Sequence, residues 1–346
     1  MRNMEGRCKS ALCLRGWKRM DEQTLRAWAK ELGFAKATLC PSSAFEQAHR
    51  LVLRQAPLAE RRQLRFDPGA DDSRTRSLAV LLWPYAPSAL TQGEALFVDS
   101  YYPASNAAYH AAKRLEERLT AAGCFARANV SYPAKEAAVR AGLGRIGRSS
   151  LLITPEYGTR VVIILMATDA LCAGGDEPSE RGTCLGCGRC VRACPTGAID
   201  GGGMRHPERC LRNFMMEGVV VPEEVRPLMG MKLLGCDACQ RACPMQTLTE
   251  APQPVPLSLD ELVTSDDAAF SEAVSRLAGQ IGKNVARPQR VRAQAALLCG
   301  NRCRATDLPV LMGWAQSDAP AVREHARWAI ARIRAQSGLD PSDKKR

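Results

Sequence analysis

Residues 184–199, "CLGCGRCVRACPTGAI", set four cysteines at spacings of three, three and four, and a proline follows the last. Thiolates at such density are soft ligands, suited to zinc, copper(I) or iron–sulfur centres. A structural zinc ion takes four ligands tetrahedrally, and its cysteines usually arrive as two well-separated C-x2-C pairs. Three successive cysteines at one short interval do not fit that plan. They suit a centre with several metal atoms, in which each thiolate binds its own iron.

The run C-x2-C-x2-C-x3-C-P has the spacing of bacterial two-cluster ferredoxins, where the first three thiolates hold one cubane and the fourth reaches another. Cys184, Cys187, Cys190 and Cys194 therefore predict further ligands downstream. "CDACQRACP" supplies them, because Cys236, Cys239, Cys243 and Pro244 repeat the last three ligand positions. Leu233 stands where the first ligand of that repeat belongs, and Cys210 is the one cysteine between the two runs. The expectation is two [4Fe-4S] clusters, the first on Cys184, Cys187, Cys190 and Cys243, the second on Cys194, Cys210, Cys236 and Cys239. Cys8, Cys13, Cys40, Cys124, Cys172, Cys299 and Cys303 show no ligand spacing and read as free thiols. Oxygen-sensitive clusters beside free thiols point to a reducing, cytoplasmic compartment.

A chain of 346 residues exceeds what one core usually organises, so two or three modules are expected. Its formal charge of +12 favours an acidic partner. No run of eighteen apolar residues is present, so no membrane span is expected. The first nineteen residues are basic but lack the apolar stretch of a signal peptide, and Met20 offers an alternative translational start.

The elements that must position the thiolates can be read from periodicity. "DEQTLRAWAKELG" (21–33) opens on the N-cap candidate Asp21, places Leu25, Trp28 and Leu32 at helical spacing and stops on Gly33. "SLAVLLWPY" (77–85) is a short apolar run ending at Pro84, which predicts a buried strand. Residues 105–123 return to helical period through Ala108, Ala111, Leu115, Leu119 and Ala122. "SSLLITPEYG" and "RVVIILMATDA" read as two further buried strands. Polar "CAGGDEPSERGT" (172–183) and Pro-rich "EAPQPVPLS" (250–258) read as linkers, with an all-helical tail beyond. The expected domains are an α/β domain at 20–171, a cluster module at 172–250 and a helical domain at 259–336.

Gly142, Gly144 and Gly147 in "GLGRIG" match G-x-G-x-x-G, but in reversed context. A dinucleotide fingerprint leads from strand to helix, whereas here the helix-like "PAKEAAVRA" precedes the glycines and "SSLLI" follows. A nicotinamide site is not expected. The glycines instead read as a tight loop in which backbone approaches a flat ligand or another element.

"NVSYPAKEAAVRAGLGRIGRSSLLITPEYGTRVV", the eight-cysteine pattern and the basic helical tail together resemble the epoxyqueuosine reductase family, from the first helix to about residue 335. The resemblance implies a nitroreductase-like α/β corrinoid-binding domain, a ferredoxin-like double [4Fe-4S] module and a HEAT-like all-α C-terminal domain. It implies reduction of the epoxide of epoxyqueuosine at the wobble position of tRNA, with cobalamin bound without a histidine lower ligand. In keeping with this the chain has no D-x-H-x-x-G motif. Arg140, Gly142, Leu143, Gly144, Ile146 and Gly147 are the loop residues that the resemblance places against the corrinoid, and an external low-potential electron donor is implied.

The chain also departs from the family. Val130 stands where an acidic residue is typical, Arg145 occupies a commonly aromatic loop position, and Ala108 replaces the acid before Tyr109 and His110. Opening an epoxide needs a proton, and a positioned acid is the protein's expected contribution. Tyr132 is the leading replacement, with Tyr101, Tyr102 and Tyr109 also in reach; each is equally readable as a core tyrosine with a satisfied hydroxyl. A different, small-molecule substrate for the same corrinoid chemistry, or a non-catalytic two-cluster electron carrier, are the alternatives.

Between Lys283 and Arg334, ten Lys or Arg stand against three acids, a local charge of +7. Val322, Ala326, Ala329 and Ile333 share one helical stripe, and Arg323, Arg327 and Arg334 another. "RPQRVRAQAALLCGN" repeats the scheme with Arg287, Arg290 and Arg292 at its start and Val291, Ala295 and Leu298 inward. The arginines read as a tRNA backbone contact, or as a solvated basic face.

Overall fold

The Asp21 side chain caps the first helix, α1 (Glu22–Glu31), accepting from Thr24 N at 2.7 Å. Such a cap satisfies one of the amide groups that every helix start leaves unpaired. Leu25 and Ala29 turn that helix's apolar stripe inward, against strand β1 (Lys36–Pro41). The computed structural model describes residues 21–53, 65–88, 94–172, 184–202, 205–247 and 257–336. Cys8, Cys13, Met20 and nearly all of both linker stretches lie outside them.

The chain divides into two units. The first holds the described residues up to Trp83, Ala108–Gly142 and those from Ile163 to Cys172. Its four-stranded sheet runs in the order β1, β2 (Ser77–Pro84), β7 (Val161–Thr168), β4 (Ala126–Ala128). β1 pairs antiparallel with β2, Leu39 facing Ala79, and β4 antiparallel with β7, Ala128 facing Met166. The continuous apolar runs of β2 and β7 are buried along nearly their whole length, as expected for strands covered on both faces. Helix α2 (Tyr101–Ala121) lays Ala108, Ala111, Leu115 and Leu119 fully into this core, while Ala122 is exposed.

One expected strand is reassigned. "SSLLITPEYG" contributes only β6 (Leu152–Ile153), which pairs with β5 (Arg145–Ile146) in a two-stranded ribbon and is not part of the main sheet. An apolar run shows that a segment is buried but not which strand it pairs with.

The second unit holds Pro84–Ala107, Leu143–Val162 and the described residues from Cys184 onward. One apolar core joins Leu211, Met215, Leu233 and Leu234 of the cysteine-rich segment to Leu277, Leu298, Val322 and Ile333 of the tail. The segments read as cluster module and helical domain thus share a core, and 84–107 and 143–162, expected within the α/β domain, group with them. The tail is helical as expected: α7 (Asp267–Ile281), α8 (Pro288–Arg302), α9 (Leu308–Trp314) and α10 (Pro320–Gln336). Val291, Ala295 and Leu298 of α8 and Val322, Ala326, Ala329 and Ile333 of α10 are buried. Gly300 lets the Trp328 ring lie directly on the α8 backbone, where any side chain would collide with it. No helix among the described residues is long and apolar enough to cross a membrane.

Candidate functional site

The first cysteine run folds as a loop and a short helix, α4 (Arg189–Ala193). Gly186 and Gly188 take left-handed backbone (φ 65° and 69°), which turns the chain back on itself between Cys184 and Cys190. The second run forms another short helix, α6 (Ala238–Arg241), which packs against α4. This pairing brings distant thiols together. Cys184, Cys187, Cys190 and Cys243 line one small cavity. Burial pushes the Cys243 thiol up, and Cys190, Cys184 and Cys187 nearby push it further.

Cys210 stands at the N-cap position of helix α5 (Leu211–Glu217) without a side-chain cap bond, and Leu233, in the position of the absent ligand, is buried in strand β8 (Lys232–Leu234), which pairs in parallel with β3 (Phe97–Val98). Burial pushes the Cys239 thiol up to about 12, with Cys236, Cys210, Cys194 and Cys190 adding to the effect. The neighbours of Cys239 thus include the three other cysteines expected on cluster two. Thiols so desolvated stay protonated in the absence of a metal, whereas a coordinating ion deprotonates them. Among the described residues no three His, Cys, Asp or Glu side chains converge on a single-ion position. A cubane asks for a different arrangement, with one thiolate per iron.

Buried polar groups that the sequence reading did not single out hold the second run in place. Arg160 pairs with Asp237, next to Cys236, and Asp237 also accepts from Arg241 Nε at 2.8 Å. The Gln240 amide donates to Thr159 O at 2.8 Å and to the Tyr85 hydroxyl at 2.9 Å. Arg212 lies over the rings of Tyr101 and Tyr102, at 5.1 and 5.6 Å. Tyr101 is half-buried, Tyr102 is buried with its hydroxyl unpartnered, and Tyr109 is exposed.

Helix α3 (Ala134–Arg140) leads into the glycine loop, so the helix-before-glycine order holds. What the loop approaches is another element. A side chain at Gly144 would collide with the Ile153 carbonyl, and one at Gly147 would come within 2.6 Å of Ile153 Cδ1. Arg140 is engaged as well: it donates to Ser43 O at 2.9 Å and Ala44 O at 3.0 Å, pairs with Glu136 and covers the Phe45 ring. Of the six loop residues, Ile146 has the most open face, at 45% exposure.

Val130 and Tyr132 line a polar cavity of about 300 Å³ in the first unit, together with Asp71, Asp72, Arg127 and Asn129. The Tyr132 hydroxyl donates to Asp71 Oδ2 at 2.9 Å. Burial, and then Asp71, push the Tyr132 hydroxyl up to about 12. Asn129 adopts φ 59° and its buried amide nitrogen is unpartnered, leaving a donor beside the cavity.

In the tail the three arginines of the α10 stripe differ. Arg323 is half-buried and donates to Ser317 O at 2.8 Å, whereas Arg327 and Arg334 are exposed. Arg290 and Arg292 at the start of α8 are likewise used internally, on Val285 O and on Asp267.

Residues 183–246 match the family model described as a 4Fe-4S double cluster binding domain. The chain superposes on a crystal structure of epoxyqueuosine reductase with an epoxyqueuosine-modified tRNA-Tyr stem loop, at TM-score 0.73 and 23% identity over 90% of this chain and 89% of that one. The fold is that of an epoxyqueuosine reductase. The Streptococcus thermophilus epoxyqueuosine reductase matches at TM-score 0.72 and 21% identity, over 92% of each chain. In sequence, the Listeria monocytogenes epoxyqueuosine reductase is 32% identical over 207 residues, which are 57% of this chain and 53% of that protein. The chain thus spans about half the length of the curated relatives it matches. The resemblance read from the glycine loop and the eight cysteines holds.

Proposed function

We propose that this chain is a corrinoid-dependent iron–sulfur oxidoreductase that reduces epoxyqueuosine to queuosine at the wobble position of tRNA. The observation that carries the reading is the convergence of two four-cysteine sets within a fold shared, over nine-tenths of both chains, with an epoxyqueuosine reductase seen on its modified tRNA stem loop. Cys184, Cys187, Cys190 and Cys243 hold one [4Fe-4S] cluster, and Cys194, Cys210, Cys236 and Cys239 the other. When bound, the two clusters would supply one electron each, which matches a two-electron deoxygenation. The N–H of Ala198 donates to the Cys194 sulfur at 3.2 Å, a bond that would stabilise negative charge on a cluster held there and favour its reduction.

Cobalamin belongs to this reading through the family resemblance. Arg140, Gly144 and Gly147 make contacts within the chain that hold the loop in shape. The proton for the opened epoxide oxygen comes, in this reading, from Tyr132. Its raised pKa leaves tyrosine a weaker acid than usual, yet an alkoxide is a stronger base than tyrosinate, so transfer still runs downhill.

A small-molecule substrate for the same chemistry is favoured by one observation: the family's acidic position is the apolar Val130, on the wall of a polar cavity. Anaerobic reconstitution with iron, sulfide and cobalamin, followed by turnover of tRNA bearing epoxyqueuosine, tests both. Queuosine formation is the expected result. Intact clusters with no queuosine would overturn the tRNA reading in favour of the small substrate.

A further inference from the structure

Cys187 is exposed, while the other seven cysteines of the two cluster sets are half-buried. Beside it Leu185, which lines the same cavity, is 66% exposed. Four arginines lie on the two segments that line this cavity. Arg145 and Arg148 come from the glycine loop, Arg189 and Arg192 from α4, and all four are exposed. Arg148 lines the cavity of the first cysteine set and its guanidinium reaches to within 3.9 Å of the position of a side chain on Gly186. Arg192 donates to Cys187 O at 3.2 Å from the other side. None of the four pairs with a carboxylate among the described residues. The two stretches that carry them, 142–155 and 184–199, contain no acidic residue at all.

We propose that this face is the docking surface for an acidic one-electron carrier protein, which reduces cluster one through the Cys187 edge. The proposal rests on the two-cluster reading above. Unpaired charge of one sign around a small apolar contact steers an oppositely charged partner and orients it without holding it tightly, which suits a carrier that must leave after each delivery. Electron transfer slows steeply with distance, so the entry cluster must lie where a partner's own centre can come close. Each encounter moves one electron from the partner's reduced centre to cluster one; the partner is oxidised and the cubane reduced by one electron, with no bond or proton changed. Two encounters supply both electrons.

The test uses the anaerobic holoprotein with oxidised clusters and two donors: a reduced, acidic plant-type [2Fe-2S] ferredoxin as probe, and the small cationic methyl viologen radical. Stopped-flow absorbance follows cluster reduction in the parent and in Arg148→Glu/Arg189→Glu. The ferredoxin rate of the variant is expected to fall roughly tenfold or more at low ionic strength. That gap should close as salt is raised, since exposed charges are screened, while the viologen rate should not fall, because a cationic donor is repelled by the arginines of the parent. Equal ferredoxin rates in parent and variant overturn the proposal. So does a slower rate with both donors, which would make the arginines tuners of the cluster. So does a variant that keeps its ferredoxin rate but loses affinity for a tRNA stem loop, which would make the patch an RNA contact. Should the variant lose iron, the parent alone decides: a ferredoxin rate independent of salt refutes electrostatic docking. Failure of viologen to reduce the parent removes the two-cluster reading itself.

Discussion

Arg160 Nη2 donates to Asp237 Oδ2 across 3.3 Å, and the two side chains are only 1% and 4% exposed. The pair ties the start of β7 to the residue after Cys236. Two other nitrogens of the same guanidinium are buried without a partner, so Asp237 is the anion that compensates this charge. Removing one member of a buried pair leaves the other uncompensated, at a cost of about 3–5 kcal/mol. Asp237→Ala should therefore lower the midpoint of thermal unfolding and reduce iron retention at cluster two. Unfolding followed by circular dichroism, with iron analysis of the purified variant, checks both.

Cys210 lies far from either C-x2-C run in sequence, yet it neighbours Cys239 and Cys236 in the folded chain. Cys210→Ala should retain about four of the roughly eight irons that two cubanes contain. Full iron content in that variant would exclude Cys210 as a ligand.

Tyr132→Phe removes only a hydroxyl that is bonded to Asp71. A positioned acid contributes about 10²–10⁴-fold, and turnover of epoxyqueuosine tRNA should fall within that range while tRNA affinity holds. Unchanged turnover would take Tyr132 out of the reaction.

The basic stripe of α10 is narrower in the structure than on a helical projection, because Arg323 is spent on Ser317 O. Arg327→Gln with Arg334→Gln should weaken binding of a tRNA stem loop and lower the slope of log affinity against log salt by about one to two units. Arg323→Gln should leave that slope nearly unchanged and instead loosen the turn before α10. Fluorescence titrations at several salt concentrations separate the two outcomes.

His325 accepts from the Val221 N–H at 2.9 Å, and its Nδ1 faces Ala293 O at 2.9 Å, so the neutral ring fills the site. Burial lowers its pKa from 6.5 to about 4. The unfolded chain therefore binds a proton that the folded chain refuses over that interval, and stability falls as pH drops from 6.5 towards 4. The loss is on the order of 3 kcal/mol at the acid end. His325→Gln, which keeps an acceptor for Val221, should flatten this dependence in urea titrations at stepped pH.

Ligand spacing in a cluster-binding loop is local, because a few residues of chain must wrap each iron, and so a double-cluster segment was legible in the amino-acid order alone. The same holds for the buried strands β2 and β7 and for the helical tail, whose apolar periods report burial directly. Tertiary structure alone decided which partners those elements met. Arg160 and Asp237 are 77 residues apart, and neither carries a local pattern that marks it as half of a pair. The glycine loop shows the limit most plainly: its sequence demanded a close approach, and only the fold revealed that the approaching group is Ile153 of the same chain. Likewise Arg323, Arg327 and Arg334 have the same charge in sequence, but the carbonyl of Ser317 determines which of them is left facing water. Period and spacing are set by the backbone's own geometry, whereas the satisfaction of a charge or a donor depends on atoms that the chain brings back from far away.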